Sequence, residues 1–414
     1  MPRRCTRDHS KGDVGGKPHC GLDAQERCQP EGAGTSITAP TKRQREGGLD
    51  WLEVRCHGQW QEEAWCELVA ALDRARALAE DSGEYEAALE VGGQSLFVGP
   101  SGARLGDCHA RWRVQWRGVE VLIVSRREFS DRRPSVVVKL SSHTLICVVD
   151  LAAWDRSVEL LNSLGLEMRR DVVSRVDLCA DLGGQSIAPF VAAFMEGRIV
   201  KRAQKRALYW ESGDDPSGFT VGSDIKLRVY DKKREVEAAA NGPKLGVLHA
   251  RWGGDVTEAT RVEFQLRRDA LRERFGVEGV DSLWEKMRAI VRWLCGEWFR
   301  MTETKATHRN YSRVRLATEW RRVVKAFLSW AGKGAGELVA AVKKEPIPDK
   351  LIRQATGCLK TLAALYWDVG LTREEIFAFA IEMIEAPMCG GVEDVAKKRQ
   401  WFTAAGWVPA GGRW

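Results

Sequence analysis

Along the first two-thirds of the chain, apolar and polar residues alternate in short runs; in the last third the apolar ones recur at helical spacing. LDWLEVRC (49–56), SLFVG (95–99), WRVQWRG (112–118), VEVLIVS (119–125) and SVVVKLS (135–141) are each predicted as strands. Residues 61–80 place Trp65, Leu68, Leu72 and Leu78 on one helical stripe. Residues 150–167 do the same with Trp154, Val158, Leu161 and Leu164, behind Asp150 as predicted N-cap. Three further strands follow: SRVDLCADL (174–182), IKLRVYDKK (225–233) and TRVEFQLRR (260–268). From about residue 276 the spacing turns helical. SLWEKMRAIVRWLCGEWF (282–299) opens on Ser282 and Glu285, and TREEIFAFAIEMIEA (372–386) on Thr372 and Glu375, both at capping-box spacing. The expected fold is α+β: a largely antiparallel sheet covered by helices, with a helical C-terminal domain and no internal repeat.

Composition changes this picture at the N-terminus. Residues 1–47 are rich in Gly, Pro, Lys, Arg and small polar groups and are expected to form a disordered tail. Cys5, His9, His19, Cys20 and Cys28 lie in it, but no C-x-x-C pair of the kind zinc sites use. The organisation expected is a tail (1–47), a sheet domain (48–275) and a helical DNA-binding or partner-docking domain (276–414). No apolar run approaches the roughly 18 residues of a membrane span, and no apolar segment follows Arg3 and Arg4 as a secretory signal requires. The 11 cysteines are therefore expected to be reduced thiols in a cytoplasm. The 17 tryptophans are expected mainly in the core.

The chemistry gathers on the three late strands. Alternate residues of a strand share a face. SRVDLCADL puts Arg175, Asp177, Cys179 and Asp181 on one face; IKLRVYDKK puts Arg228, Tyr230 and Lys232 there; TRVEFQLRR contributes Arg261, Glu263, Gln265 and Arg267. The opposite faces are apolar. If the strands are neighbours, carboxylates, arginines, a lysine and a tyrosine share one surface. Oxygen ligands of this kind suit Mg2+ or Mn2+, with Asp177 and Glu263 as expected ligands. Arginines suit a phosphate, and Tyr230 suits attack on phosphorus, with Lys232 or the metal assisting its ionisation. The bland alternative is a solvated sheet face, which alternates in the same way.

The net charge of +7 is mild, but it is unevenly spread. Residues 300–325 hold eight basic residues, Arg309, Arg313 and Arg315 among them, against two acidic ones. A smaller cluster, KRAQKR, occupies 201–206. Such clusters suit phosphate contacts, and Tyr311 inside the longer one suits either stacking on a base or packing against the helix expected at 318–330.

In their order and spacing, SRVDLCADL, FTVGSDIKLRVYDKKRE (219–235) and TRVEFQLRR resemble the replication-initiation proteins of rolling-circle plasmids and phages and the related relaxases of integrative elements. LDWLEVRC resembles that family's opening strand, and ETKATHRNYSR (303–313) the region past its catalytic core. The resemblance spans about residues 48–325. It implies a fold related to the HUH nucleases, although no His-x-His pair is present. It implies Tyr230 as the nicking tyrosine, with Tyr209 in ALYWES as its rival, and Asp177, Glu263 and Asp181 as acidic positions for Mg2+ or Mn2+. Arg175, Arg228 and Arg261 would face DNA. The expected activity is nicking of one origin strand, leaving a 5′-phosphotyrosine and a free 3′-OH. Expected partners are origin DNA, a host helicase and polymerase, and a second copy of the chain. Two alternatives share these residues: a relaxase for conjugative or integrative transfer, and an origin-binding regulator without catalysis.

Overall fold

The computed structural model describes residues 46–332, apart from 107, 148–149, 210–215, 240–241, 308–310 and 312, together with residues 372, 374, 375 and 378. The expected tail, Arg309 and most of the expected C-terminal domain lie outside the described residues. In chain order come β1 (Gly47–Trp60), α1 (Glu62–Ser82), β2 (Ala87–Val91), β3 (Gln94–Val98), β4 (Ala103–Leu105), β5 (Cys108–Trp116), β6 (Val119–Val124), β7 (Val136–Leu140), α2 (Ser142–Cys147) and α3 (Asp150–Ser163). Then follow β8 (Leu166–Gly183), α4 (Ala188–Met195), β9 (Ile199–Lys201), β10 (Arg206–Tyr209), β11 (Gly218–Gly222), β12 (Ile225–Asp231), α5 (Lys232–Ala238) and α6 (Gly242–Trp252). The described elements end with β13 (Ala259–Arg267), α7 (Arg268–Phe275), α8 (Val280–Trp293), a π-helical turn (Leu294–Trp298), β14 (Phe299–Met301) and α9 (Thr318–Trp330). The fold is α+β with a large antiparallel sheet and covering helices, as the alternating runs imply.

The described residues divide into two units, and β1 and β8 contribute to both. One unit holds residues 55–170 and 236–257. Its strands run in the order β1-β7-β6-β5-β3-β2, with β4 paired to β5. Its core is built from the period-two residues: Trp112, Val114, Val121, Ile123, Val136 and Val138 are all essentially inaccessible. The α1 stripe runs through Leu68, Ala71, Leu72, Ala75 and Ala79. Leu78 was expected on that stripe but is exposed, because alanines rather than leucines supply its last turns.

The second unit holds residues 47–54, 171–235 and everything described from 258 onward. Its strand order is β10-β11-β12-β13-β8-β1, and the pairs from β10 to β8 are antiparallel. The apolar face of these strands buries Val176, Leu178, Leu227, Val229, Val262, Phe264 and Leu266. Aromatic contacts seal it to the helices. Phe264 lies 6.1 Å from Trp298 and 5.8 Å from Phe327 of α9, and Phe219 stacks on Phe194 of α4 at 4.3 Å. Helices after residue 276 thus pack onto the same sheet that carries the charged rows. Burying this apolar surface is the main force holding the layer together. Gly222 (φ +91°) makes the turn from β11 to β12; a Cβ there would fall on the carbonyl of Ile225 and 2.9 Å from the Trp298 ring.

Three local expectations change. β12 ends at Asp231, so Lys232 opens α5 instead of extending the strand. α8 begins at Val280, and its first amide donates to the Asp171 carboxylate of β8 at 2.6 Å. Ser282 lies inside the first turn and accepts from the Glu278 amide rather than serving as N-cap. By contrast, Thr372 and Glu375 make the reciprocal bonds of a capping box: the Thr372 amide reaches Glu375 at 2.8 Å and the Glu375 amide reaches Thr372 at 3.4 Å.

Candidate active site

Antiparallel register converts the sequence pattern into rows of side chains. Opposite residues in such a ladder stand about 5 Å apart on the same face. One row runs Tyr209, Gly218, Tyr230, Arg261, Asp181 across β10, β11, β12, β13 and β8. The next runs Ala207, Thr220, Arg228, Glu263, Cys179, and a third places Lys226, Gln265 and Asp177 together. The three late strands are therefore neighbours, and the charged faces inferred from alternation form one surface.

Each carboxylate on that surface meets an arginine. Arg261 is fully buried and grips Asp181 through Nε (2.5 Å) and a terminal nitrogen (2.8 Å); its other terminal nitrogen bonds Asp50 of β1. Arg175 clasps Asp177 in the same two-pronged way, at 3.0 and 2.5 Å, with its guanidinium 5.3 Å from the Trp51 ring centre. Arg228 bonds one oxygen of Glu263, with Nε at 3.1 Å. The other oxygen of Glu263 accepts from the Tyr230 hydroxyl at 3.2 Å. Lys232 bonds Glu235 at 2.6 Å, and its ammonium lies 5.6 Å from the Tyr230 ring centre.

Depth separates the partners. Asp177 and Glu263 are 1% and 0% exposed, whereas the side chains of Arg175 and Arg228 are 32% and 34% exposed. These two guanidinium groups lie above buried acids and remain open to an incoming anion. Arg261, expected at the DNA, is instead a buried tie between β13, β8 and β1 and has no surface to offer a phosphate.

The electrostatics follow. Burial pushes the Tyr230 phenol well above its ordinary pKa; Arg261 opposes this, while Glu263 and Asp50 reinforce it. Burial also raises the carboxyl of Glu263, with Asp50 adding to the effect and Arg228 opposing it. For Arg228, burial works against the charge but is outweighed by Glu263, which holds the guanidinium above its ordinary value. Tyr230 is thus a neutral phenol bonded to a carboxylate more basic than usual.

These acids do not fit a divalent cation as arranged. Both oxygens of Asp177, of Asp181 and of Glu263 already accept hydrogen bonds. Among the described residues, no group of three His, Cys, Asp or Glu converges on one point. Tyr209 stands on the same face, hydrogen-bonded to Thr220, with its phenol raised chiefly by burial. Arg313 and Arg315 are exposed and line a shallow hollow with Glu303 and Thr304.

Sequence reasoning missed Asp50 and Gly218. Asp50 belongs to a strand recognised by its alternation, but nothing in that strand names Arg261 as its partner. Gly218 stands between Tyr209 and Tyr230 and leaves them no intervening side chain. A Cβ there would fall on the carbonyl of Val229 and 3.0 Å from the Tyr230 Cα. Gly218→Ala is expected to cost about 1–3 kcal/mol through this overlap and to shift Tyr230 off Glu263. Chemical denaturation checks the first effect and the activity described below checks the second.

No protein-family profile matches this chain, and no curated protein matches it. Among the described residues no helix is long and apolar enough to cross a membrane. Among solved structures, the chain is similar to a rolling circle replication initiator protein from Geobacillus stearothermophilus, with a TM-score of 0.38 and 17% identity over 68% of this chain and 96% of that one.

Proposed function

We propose that this protein is a rolling-circle replication initiator that nicks one strand of origin DNA through Tyr230. The observation carrying this reading is the hydrogen bond from the Tyr230 hydroxyl to Glu263, beside the partly exposed guanidinium of Arg228. The order and spacing of the motifs around those residues support it.

In the proposed step, the Tyr230 oxygen attacks a backbone phosphorus in line. Its proton passes to Glu263, which lies within general-base reach and is made more basic by burial. The P–O3′ bond breaks, the 3′ oxygen leaves with the bonding pair and takes a proton from solvent, and the 5′ phosphate stays on Tyr230. Arg228 and Arg175 turn toward the phosphate oxygens and stabilise their charge. Lys232, over the ring, favours the developing phenolate. The product conserves the phosphodiester bond, so a later 3′-OH can reverse the step.

The test is a covalent-adduct assay on supercoiled DNA carrying the gene and its flanks, with Mg2+ or Mn2+ in the buffer. The expected result is nicked DNA linked to the peptide containing Tyr230. Sequence-specific binding with no adduct under any condition would overturn the nicking reading. The pH profile adds a check. Because Glu263 must be ionised to accept the proton, the rate is expected to fall as pH drops through its raised pKa. The acid limb should therefore lie above the ordinary carboxylate range of about 4.3, and Glu263→Gln should remove it.

A further inference from the structure

The two basic clusters, distant in sequence, meet in one groove. Its floor is the antiparallel pair of β9 and β14, in which Arg300 stands opposite Val200. The concavity, about 1060 Å3, is lined by Lys201, Arg202 and Arg206 from the first cluster and by Arg300 and Tyr311 from the second. Ile199, Val200 and Ala306 give it apolar patches. One carboxylate, Glu297, also lines it, and Arg202 already bonds that group at 3.0 Å. Among the described residues, Arg206 and Arg300 have no carboxylate partner, and Tyr311 is 55% exposed.

We propose that this groove binds single-stranded DNA, with the arginines on successive phosphates and Tyr311 stacked on a base. A run of cations around an apolar floor with an exposed ring matches what an unpaired strand offers: a charged backbone and free base faces. A duplex keeps its bases stacked away from such a floor. Position supports the same occupant. Arg206 opens β10, the edge strand of its unit, and Tyr209 closes it, about 10 Å away at the usual rise. Arg206 pairs with Val221 on the helix-covered side, whereas Tyr209 lies in the row of Tyr230. A strand crossing the β10 edge therefore leads from the groove to the nucleophile. The inference deepens the nicking reading and rests on it for the identity of the strand, but its test needs no nick.

The test measures fluorescence anisotropy of a labelled 20-nucleotide oligo-dT, and of a 20-base-pair duplex, with full-length Tyr230→Phe protein in EDTA. Arg206→Ala with Arg300→Ala should lower the single-strand salt slope by about 1.4, at about 0.7 for each phosphate no longer neutralised. Tyr311→Ala should weaken single-strand binding by about fivefold or more, with little change for the duplex. Circular dichroism confirms folding, and Arg206→Lys with Arg300→Lys should restore the slope. Unchanged single-strand binding in these variants overturns the proposal, as does an equal loss on the duplex. If the wild-type chain forms the Tyr230 adduct while the groove variants bind normally, the groove assignment alone fails. If no adduct forms but the groove variants lose single-strand binding, nicking fails and the groove stands.

Discussion

Tyr230→Phe should form no covalent adduct, with nicking reduced at least about a thousandfold, while the protein stays folded and still binds DNA. The substitution removes one hydroxyl whose sole described partner is Glu263 at 3.2 Å. Glu263 keeps Arg228, and the ring keeps its place beneath Arg228 and Lys232. Losing a nucleophile outright commonly costs several orders of magnitude in rate. Tyr209→Phe is the control, because its hydroxyl is engaged with Thr220 and not with an acid; that variant should keep its adduct. Denaturing gels of labelled nicked DNA decide between them. An adduct that survives Tyr230→Phe, or that disappears only in Tyr209→Phe, would move the nucleophile along the same row.

Arg261→Met should be the most destabilising single change on this face, by about 3–5 kcal/mol. Its guanidinium is fully buried and ties Asp181, also fully buried, to Asp50. The ion pairs themselves need not favour folding over an apolar replacement, but removing one partner leaves buried charge uncompensated. The melting temperature should fall on the order of 10 °C. Adding Asp181→Leu should recover part of that loss, because the stranded charge goes with it. A fall of less than about 2 °C in the single variant would mean that the tie is not structural.

Much of the sheet was legible because its strands alternate cleanly with period two, and one side had to be apolar. That rule placed Asp177, Asp181, Arg228, Tyr230, Arg261 and Glu263 on one face. It carried no information on pairing across strands. The partners of each acid depend on register, and register depends on turns such as the one at Gly222. Thus alternation put the acids on one face, but the arginine that each one meets appears only once the strands lie side by side. The same gap hid Asp50, whose role exists only once β1 lies beside β8. The strand-to-helix change at Lys232 was illegible for a local reason: YDKKRE continues the strand pattern as readily as it starts a helix.

On the nicking reading proposed above, the pairing of exposed arginines with buried acids has a thermodynamic corollary for the first encounter with DNA. Arg175 and Arg228 are already neutralised from below, so a phosphate reaching them displaces a carboxylate of the same molecule and not a salt ion from solution. Docking at the nucleophile is then an internal swap of anions. Its equilibrium should respond weakly to ionic strength, unlike contacts made by arginines with no internal partner. High salt would loosen the protein's hold on the rest of the strand while leaving the reacting phosphate comparatively undisturbed.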